Sequence, residues 1–275
     1  MYTSTIEIAN IRCLIKSEEI SLIKLAKAQY EGFISQGEPD IEIQIYNNLN
    51  RDKYRALARA SPRPNHSHVN IVPKGAKVFF ARSDFAGYIN MKNRRGEATL
   101  SSLSAVGLDS CLRICYSLVA VVYGGFLLHS AGVAIGEKGY IFYGPSESGK
   151  TTITRLAPPS STILSDELTL IRRLNGFYRA FGTPFYGDLS RSGTNVSVQA
   201  ESLFLLKKDK KAYLQRLRYT EALSVLLSNV FFFTAEFNMT KRLFSLCCDL
   251  CTTIPIYELH FLPDATFWRH INDIT

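Results

Sequence analysis

The octapeptide Gly144-Pro145-Ser146-Glu147-Ser148-Gly149-Lys150-Thr151 constrains this chain more than any other stretch. It is a complete G-x4-G-K-[ST] loop. Residues 139–143 read as a buried strand leading in, and residues 152–156 as the start of a helix leading out. A glycine-bearing turn between strand and helix can aim backbone N–H groups inward around phosphate oxygens, and the helix N-terminus adds its partial positive charge. In that geometry Lys150 reaches the β- and γ-phosphates of ATP, and the Thr151 hydroxyl ligates Mg²⁺. Gly144, Ser146, Ser148, Gly149, Lys150, Thr151 and Thr152 are therefore the expected nucleotide-binding residues. Pro158-Pro159 ends the helix within about two turns.

Two further groups carry chemistry. The strand expected at residues 162–164 runs into Ser165-Asp166-Glu167. Adjacent carboxylates at a strand end beside a phosphate loop can bind Mg²⁺ or take a proton from a nucleophile; the alternative is a helix cap or a turn acid. His129 lies in the apolar strand before the loop strand. Pairing of these neighbouring strands would bring it near the loop; otherwise it is a structural histidine. Gly182-Thr183-Pro184-Phe185-Tyr186-Gly187-Asp188 is a glycine-flanked loop ending in an acid. It is either a flap over phosphate or acceptor, or an ordinary turn.

Composition sets the frame for these motifs. The chain has 275 residues, enough for one or two domains, with 46% hydrophobic and 20% charged residues. That mixture fills a core and excludes a disordered or fibrous chain. The net charge of +8 is uneven: residues 51–95 hold eleven Lys or Arg against Asp52 and Asp84. This stretch is a patch for an acidic peptide, a nucleotide or nucleic acid, or else a solvated face. No aromatic-rich nucleic-acid module accompanies it, so nucleic acid is not an expected partner.

The six cysteines show no disulfide framework, and Cys248-x-x-Cys251 lacks the second pair of a metal site. Reduced buried thiols and the lack of a signal peptide predict a cytoplasmic protein. Residues 114–136 contain no Asp, Glu, Lys or Arg. Gly124-Gly125 interrupts that run, and Leu108, Cys111, Leu112, Cys115, Val119 and Val122 form a helical stripe. It is read as core helix, glycine turn and strand rather than as a membrane span.

Along the chain, residues 1–100 read as a small α+β domain and residues 101–275 as the domain that carries the motifs. Strands are expected at residues 5–8, 11–15, 41–46, 78–80 and 85–91, and a helix over 18–33 with Ser17 as its cap. Residues 61–65, Ser-Pro-Arg-Pro-Asn, predict a loop. Beyond residue 100 a helix is expected at 102–123 and strands at 126–135, 203–206 and 256–261. Residues 207–211 read as a charged turn whose lysines aid solubility. Two apolar helices follow at 220–233, capped by Thr220, and at 238–251, with a short helix around Phe267-Trp268.

His129, the loop and Ser165-Asp166-Glu167 follow, in order and spacing, the catalytic domain of HPr kinase/phosphorylase. Residues 102–275 resemble its wider set of HPr-kinase-like proteins, which share a phosphoenolpyruvate-carboxykinase-type phosphate-loop fold. Gly124-Gly125-x-Leu127-Leu128-His129-Ser130-Ala131-Gly132-Val133, Thr183-Pro184-Phe185-x-Gly187-Asp188, residues 223–232 and Trp268 support the resemblance. Against that family's pattern, Glu167 stands where aspartate is usual and Glu147 where a small glycine is usual; Thr151-Thr152 replaces a Ser-Glu pair.

The resemblance implies an α/β chain: an HPr-kinase-like catalytic domain behind a small N-terminal α+β domain. It further implies ATP- and Mg²⁺-dependent phosphorylation of a hydroxyl, typically serine. Asp166 would be the general base, Glu167 and Asp166 metal carboxylates with Thr151, and His129 a contact near the transferred phosphoryl. Relatives of this shape act as tailoring kinases of ribosomal peptides, including the lasso-peptide type, which makes a precursor-peptide serine an acceptor beside other peptides and proteins. A small-molecule hydroxyl, a non-catalytic nucleotide-binding module and a nucleic-acid-associated ATPase are the alternative readings. The parent family also assembles into rings, so a homo-oligomer is consistent with the resemblance.

Overall fold

Strands that alternate apolar and polar residues, such as Ile11–Ser17 and Ile41–Tyr46, and largely apolar ones, such as Gly125–Ile135, build two large mixed sheets with few helices, a mixed α/β protein. A computed structural model describes residues 1–47, 69–233 and 236–274. The chain divides into two compact units, Met1–Tyr123 with Phe232–Thr240, and Gly124–Phe231 with Lys241–Thr275.

Among the described residues, the first unit holds an eight-stranded sheet ordered β3-β1-β2-β4-β8-β7-β6-β5. Its strands are β1 (Tyr2–Ile8), β2 (Ile11–Ser17), β3 (Ile34–Ser35), β4 (Ile41–Tyr46), β5 (Asn70–Lys74), β6 (Lys77–Ala81), β7 (Phe85–Asn90) and β8 (Arg95–Leu100). The β1–β2 hairpin turns on Ala9 and Asn10, at φ 56° and 58°, the left-handed pair that a two-residue turn requires. Helices α1 (Ile20–Gln29) and α2 (Ala105–Val122) pack with this sheet. The Ser104 hydroxyl accepts from Gly107 N to cap α2. Tyr116 of α2 donates to the Ile6 and Ile11 carbonyls at 2.9 and 3.1 Å, tying the helix to both arms of the hairpin. Among the described residues α2 alone is long and apolar enough to cross a membrane, and 67% of it is buried within the protein.

The second unit holds nine strands among its described residues. They are β9 (Gly125–Ile135), β10 (Lys138–Tyr143), β11 (Thr162–Ser165), β12 (Leu168–Leu174), β13 (Phe177–Phe181), β14 (Ser197–Lys208), β15 (Tyr213–Arg216), β16 (Val230–Phe231) and β17 (Ile256–Phe261). β10 bonds β9 antiparallel and β14 parallel, so the path β10-β9-β12-β13-β14 returns to β10. The helices here are α3 (Lys150–Arg155), α4 (Tyr219–Leu227), the part of α5 (Phe237–Thr253) from Lys241 onward, and α6 (Phe267–Asn272). Six residues are too few to hold α3 as a helix by themselves. Ile153 anchors it in a buried cluster with Phe142, Phe204, Phe261 and Trp268. Trp268 Nε1 donates to the Leu156 carbonyl at 2.9 Å and so holds the far end of the helix. Phe142 and Phe204 stack with centroids 5.0 Å apart, and Trp268 meets Phe142 edge-on at 5.5 Å.

Several expected elements change length or type. The helix expected over residues 18–33 is α1 followed by a 3-10 turn at Glu31–Phe33, and Ser17 Oγ accepts from Glu19 N just before the helix. The helix expected over 220–233 starts at Tyr219 and ends at Leu227, with Glu221 reaching back to Arg218 N in place of a Thr220 cap. Its tail becomes β16, which pairs with Leu127 and Leu128 of β9. The run 203–206 is the middle of β14, so Lys207 and Lys208 end a strand and do not form a turn. The loop expected at residues 61–65 and part of the basic stretch 51–95 lie outside the described residues.

Candidate functional site

Strand register brings the motifs together. Tyr143, the last residue of β10, stands opposite Ser130 of β9, and His129 stands opposite Leu168, the first residue of β12. Asp166 and Glu167 occupy the link between β11 and β12. β14 and β17 run with β10, so Lys208 and its register partner Phe261 end on the side where the chain leaves β10 for the loop. The antiparallel β9–β10 pairing is what delivers His129.

The loop itself is tightly built. Gly149 precedes α3 at φ +110°, and a Cβ there would lie 2.7 Å from Phe261 Cζ. Glu147 takes φ +63°, where an L side chain is strained. Lys150 is 8% exposed, and its ammonium donates to the Gly144 and Pro145 carbonyls at 3.0 and 3.1 Å. Burial lowers the Lys150 pKa below the usual lysine value, while the charges of Glu167 and Asp188 act in the opposite direction. Ser148 is likewise 8% exposed, and its hydroxyl has no hydrogen-bond partner.

The acids divide into three settings. Asp166 is 3% exposed; its Oδ1 accepts from Gly187 N at 3.0 Å and its Oδ2 from Leu189 N at 2.8 Å. Glu167 Oε2 lies 3.3 Å from His129 Nε2. Asp188 Oδ2 lies 3.4 Å from Thr151 Oγ1. Ser165, buried between them, accepts from Glu167 N and Leu168 N and donates to the Phe185 carbonyl.

These groups share one cavity of about 550 Å³. Its wall takes in His129, Ser146, Gly149, Lys150, Thr151, Thr152, Asp166 and Glu167, all singled out from sequence. Gly144 and Ser148 are buried behind that wall. Glu147, Arg155, Asp188 and Lys208 complete the wall, and they were not named as site residues from sequence. Asp188 was visible only as the acid at a loop's end. Lys208 was hidden because a lysine cluster reads as a solubilising turn until the length of β14 is known.

The donor set fits a polyphosphate carrying a divalent cation. Lys150, Arg155 and Lys208 offer positive charge, and the loop keeps a buried hydroxyl without a partner. Among the described residues no group of three or more His, Cys, Asp or Glu could hold a metal ion. The Thr151 hydroxyl beside the Asp188 carboxylate supplies hard oxygen donors, which suit Mg²⁺ whose remaining ligands are phosphate oxygens and water.

Comparison with known proteins corrects the family. The match is to a model described as "ScmC: SynChlorMet cassette protein ScmC", over residues 97–275, more than half of the chain. No curated protein matches it. The match overturns the resemblance to HPr kinase/phosphorylase, and with it the likeness to peptide-tailoring kinases of the lasso-peptide type. That resemblance rested on short motifs, and a phosphate loop followed by an acid pair is a local answer to a chemical need that unrelated chains share. Glu147, Glu167 and Thr151-Thr152 already departed from the HPr-kinase pattern. The matched residues take in the end of β8, α2 and the whole second-unit sheet, and the chain belongs to the ScmC family of SynChlorMet cassette proteins.

Proposed function

We propose that the protein is an ATP- and Mg²⁺-dependent kinase built on a phosphate-loop fold, moving the γ-phosphoryl group to a hydroxyl. A serine of a peptide or protein is the acceptor class. The observation that carries this reading is one cavity in which Lys150 of a complete phosphate loop shares a wall with Asp166, Glu167, Asp188 and His129. A nucleotide-binding loop needs the lysine; moving phosphate onto an alcohol also needs a nearby proton acceptor.

In this reading Lys150 exchanges its two loop carbonyls for phosphate oxygens when ATP binds. Thr151 and a carboxylate beside it would hold Mg²⁺, whose charge would neutralise that of the phosphates. The acceptor oxygen forms its bond to the γ-phosphorus as the bond to the β–γ bridging oxygen breaks, and ADP leaves with that electron pair. The hydroxyl proton passes to a carboxylate of the Asp166–Glu167 pair, with His129 at 3.3 Å from Glu167 to share its charge. Such transfer depends mainly on positioning and electrostatics. All six cysteines are free, which suits a reducing compartment such as the cytoplasm.

One observation favours a second reading, a nucleotide-binding module without transfer: both oxygens of Asp166 already accept from backbone N–H groups. Transfer of radiolabel from γ-³²P-ATP to a library of serine peptides, run beside ATP binding by calorimetry, separates the two. The kinase reading expects Mg²⁺-dependent labelling of serine. Tight ATP binding with no labelled peptide and no released phosphate favours the module, and no ATP binding sinks both.

A further inference from the structure

Three carboxylates face the phosphate loop, and their surroundings differ enough to separate their work. We propose that Asp188 is the carboxylate that holds the nucleotide's divalent cation together with Thr151, and that Asp166 is a positioning residue that fixes the loop presenting Asp188. This deepens the nucleotide-binding reading above and rests on it.

The placement of Asp188 is the first support. Its Oδ2 is 3.4 Å from the Thr151 hydroxyl, the loop oxygen that faces a nucleotide-borne cation. Glu167 is turned toward His129, and Asp166 is almost wholly buried. Mg²⁺ takes one or two carboxylates and fills the rest of its shell with phosphate and water oxygens. The absence, among the described residues, of any three-residue metal-binding group fits a cation that arrives on the nucleotide.

The second support is how the loop is held. Asp166 accepts from Gly187 N and Leu189 N, the residues on either side of Asp188, so its two oxygens clamp the backbone that carries that side chain. The loop's ends are fixed as well. Thr183 N donates to the Leu164 carbonyl, Gly193 N to the Thr183 carbonyl and Thr194 N to the Ile163 carbonyl. A Cβ on Gly182 would lie 1.7 Å from the Thr194 carbonyl oxygen, and one on Gly193 1.7 Å from that of Leu164. Backbone packs directly on backbone at both ends, which leaves Asp188 on a rigid support. A carboxylate with both oxygens given to such a support serves geometry, and the one exposed beside Thr151 serves the cation.

The test reads metal dependence and not turnover. Fluorescent N-methylanthraniloyl-ADP is titrated into the full chain in Mg²⁺ and in EDTA, for wild type, Asp188→Asn, Glu167→Gln and Asp166→Asn. Wild type is expected to bind about tenfold more tightly with Mg²⁺. Asp188→Asn loses most of that gain yet binds no more weakly than wild type in EDTA, because it removes a negative charge and leaves Lys150 in place. Glu167→Gln keeps the gain. Asp166→Asn loses part of it and speeds tryptic cleavage after the exposed Arg191, which Asp188→Asn does not. Electron paramagnetic resonance of Mn²⁺ should show tight binding only when ADP is present. A full Mg²⁺ gain in Asp188→Asn, its loss in Glu167→Gln, or no gain in wild type that still binds the nucleotide overturns the proposal alone. Wild type that binds no nucleotide overturns the reading beneath it as well. Unchanged gain and unchanged cleavage in Asp166→Asn overturn the positioning role.

Discussion

The phosphate-loop lysine of the second unit is settled differently from the cations of the first. In the first, cations meet acids across the sheet or along a helix: Arg12 with Glu7 at 2.6 Å, Lys16 with Glu42 at 2.7 Å, Arg113 with Asp109 at 2.5 Å. The second unit has such pairs too, Arg173 with Asp249 at 3.0 Å among them, yet its buried Lys150 ammonium hydrogen-bonds only carbonyls of its own loop, with Glu167 and Asp188 near enough to act on its pKa but not bonded to it. Partnerless buried hydroxyls occur in both units, Ser4 and Thr99 in one and Tyr143 and Ser148 in the other. The lesson lies in the charges: a folded chain settles its ions with each other unless a ligand is to complete the set.

The largest expected effect tests that contrast directly. Lys150→Met should abolish measurable ATP binding and lower phosphoryl transfer by on the order of a thousandfold or more. Lys16→Met removes a surface ion pair and should leave both within about twofold, with a stability change under about 1 kcal/mol. Calorimetric titration and single-turnover rates on the two variants check this. Equal losses would erase the distinction between settled and waiting charges.

Next comes a variant in which stability and not binding responds. Tyr116→Phe strips a buried donor from two carbonyls and should cost about 1–3 kcal/mol in urea unfolding. ATP affinity of the folded variant should match wild type. A parallel fall in affinity would show that the α2 hydrogen bonds serve the nucleotide site.

Much of this arrangement was legible before any coordinates. The loop, the acid pair and His129 stood out because phosphate chemistry demands those residue types at close spacing, and β9–β10 pairing then gathers them. Strands with clean alternation, such as β4 and β17, were read almost to the residue. β12 and β13 escaped, since Leu168–Leu174 is buried at four successive positions and then turns polar, which blurs a period of two. The strands on either side of the β1–β2 turn were legible, but the turn's conformation was not, because Ala9 adopts one usually left to glycine or asparagine. Asp188 reaches Thr151 through bonds between the chain and Asp166 some twenty residues away, and no local pattern announces such a contact.

A smaller effect sharpens the account of Lys150. In the kinase reading its charge is needed for phosphate, and burial has moved its titration below that of an ordinary lysine. Raising the pH through that lowered value discharges the ammonium, so ATP affinity should begin to fall at a lower pH than for a solvated lysine. Lys150→Arg keeps its charge throughout the range and should flatten this alkaline decline, whatever its affinity at neutral pH. Affinity titrations between pH 7 and about pH 10 read the difference. Identical alkaline limbs in the two proteins would move the titration to another group.

The smallest expected effect concerns the strained residues of each unit. Glu147 sits at φ +63° in the phosphate loop, and Ala9 at φ +56° in the β1–β2 turn. Glycine at either position relieves about 1 kcal/mol of backbone strain, but it loosens the unfolded chain by nearly as much, so stability should move by no more than about 0.5 kcal/mol. Binding should separate them. Glu147→Gly also removes an anion from the rim of the cavity and should tighten MgATP by about two- to fivefold at low salt, less at high salt. Ala9→Gly should leave affinity untouched. Glu147→Gln, which keeps the strain and drops the charge, should match the glycine variant. If only glycine tightens binding, the cost at this position is conformational, and the loop must rearrange around the phosphates before Lys150 can turn to them.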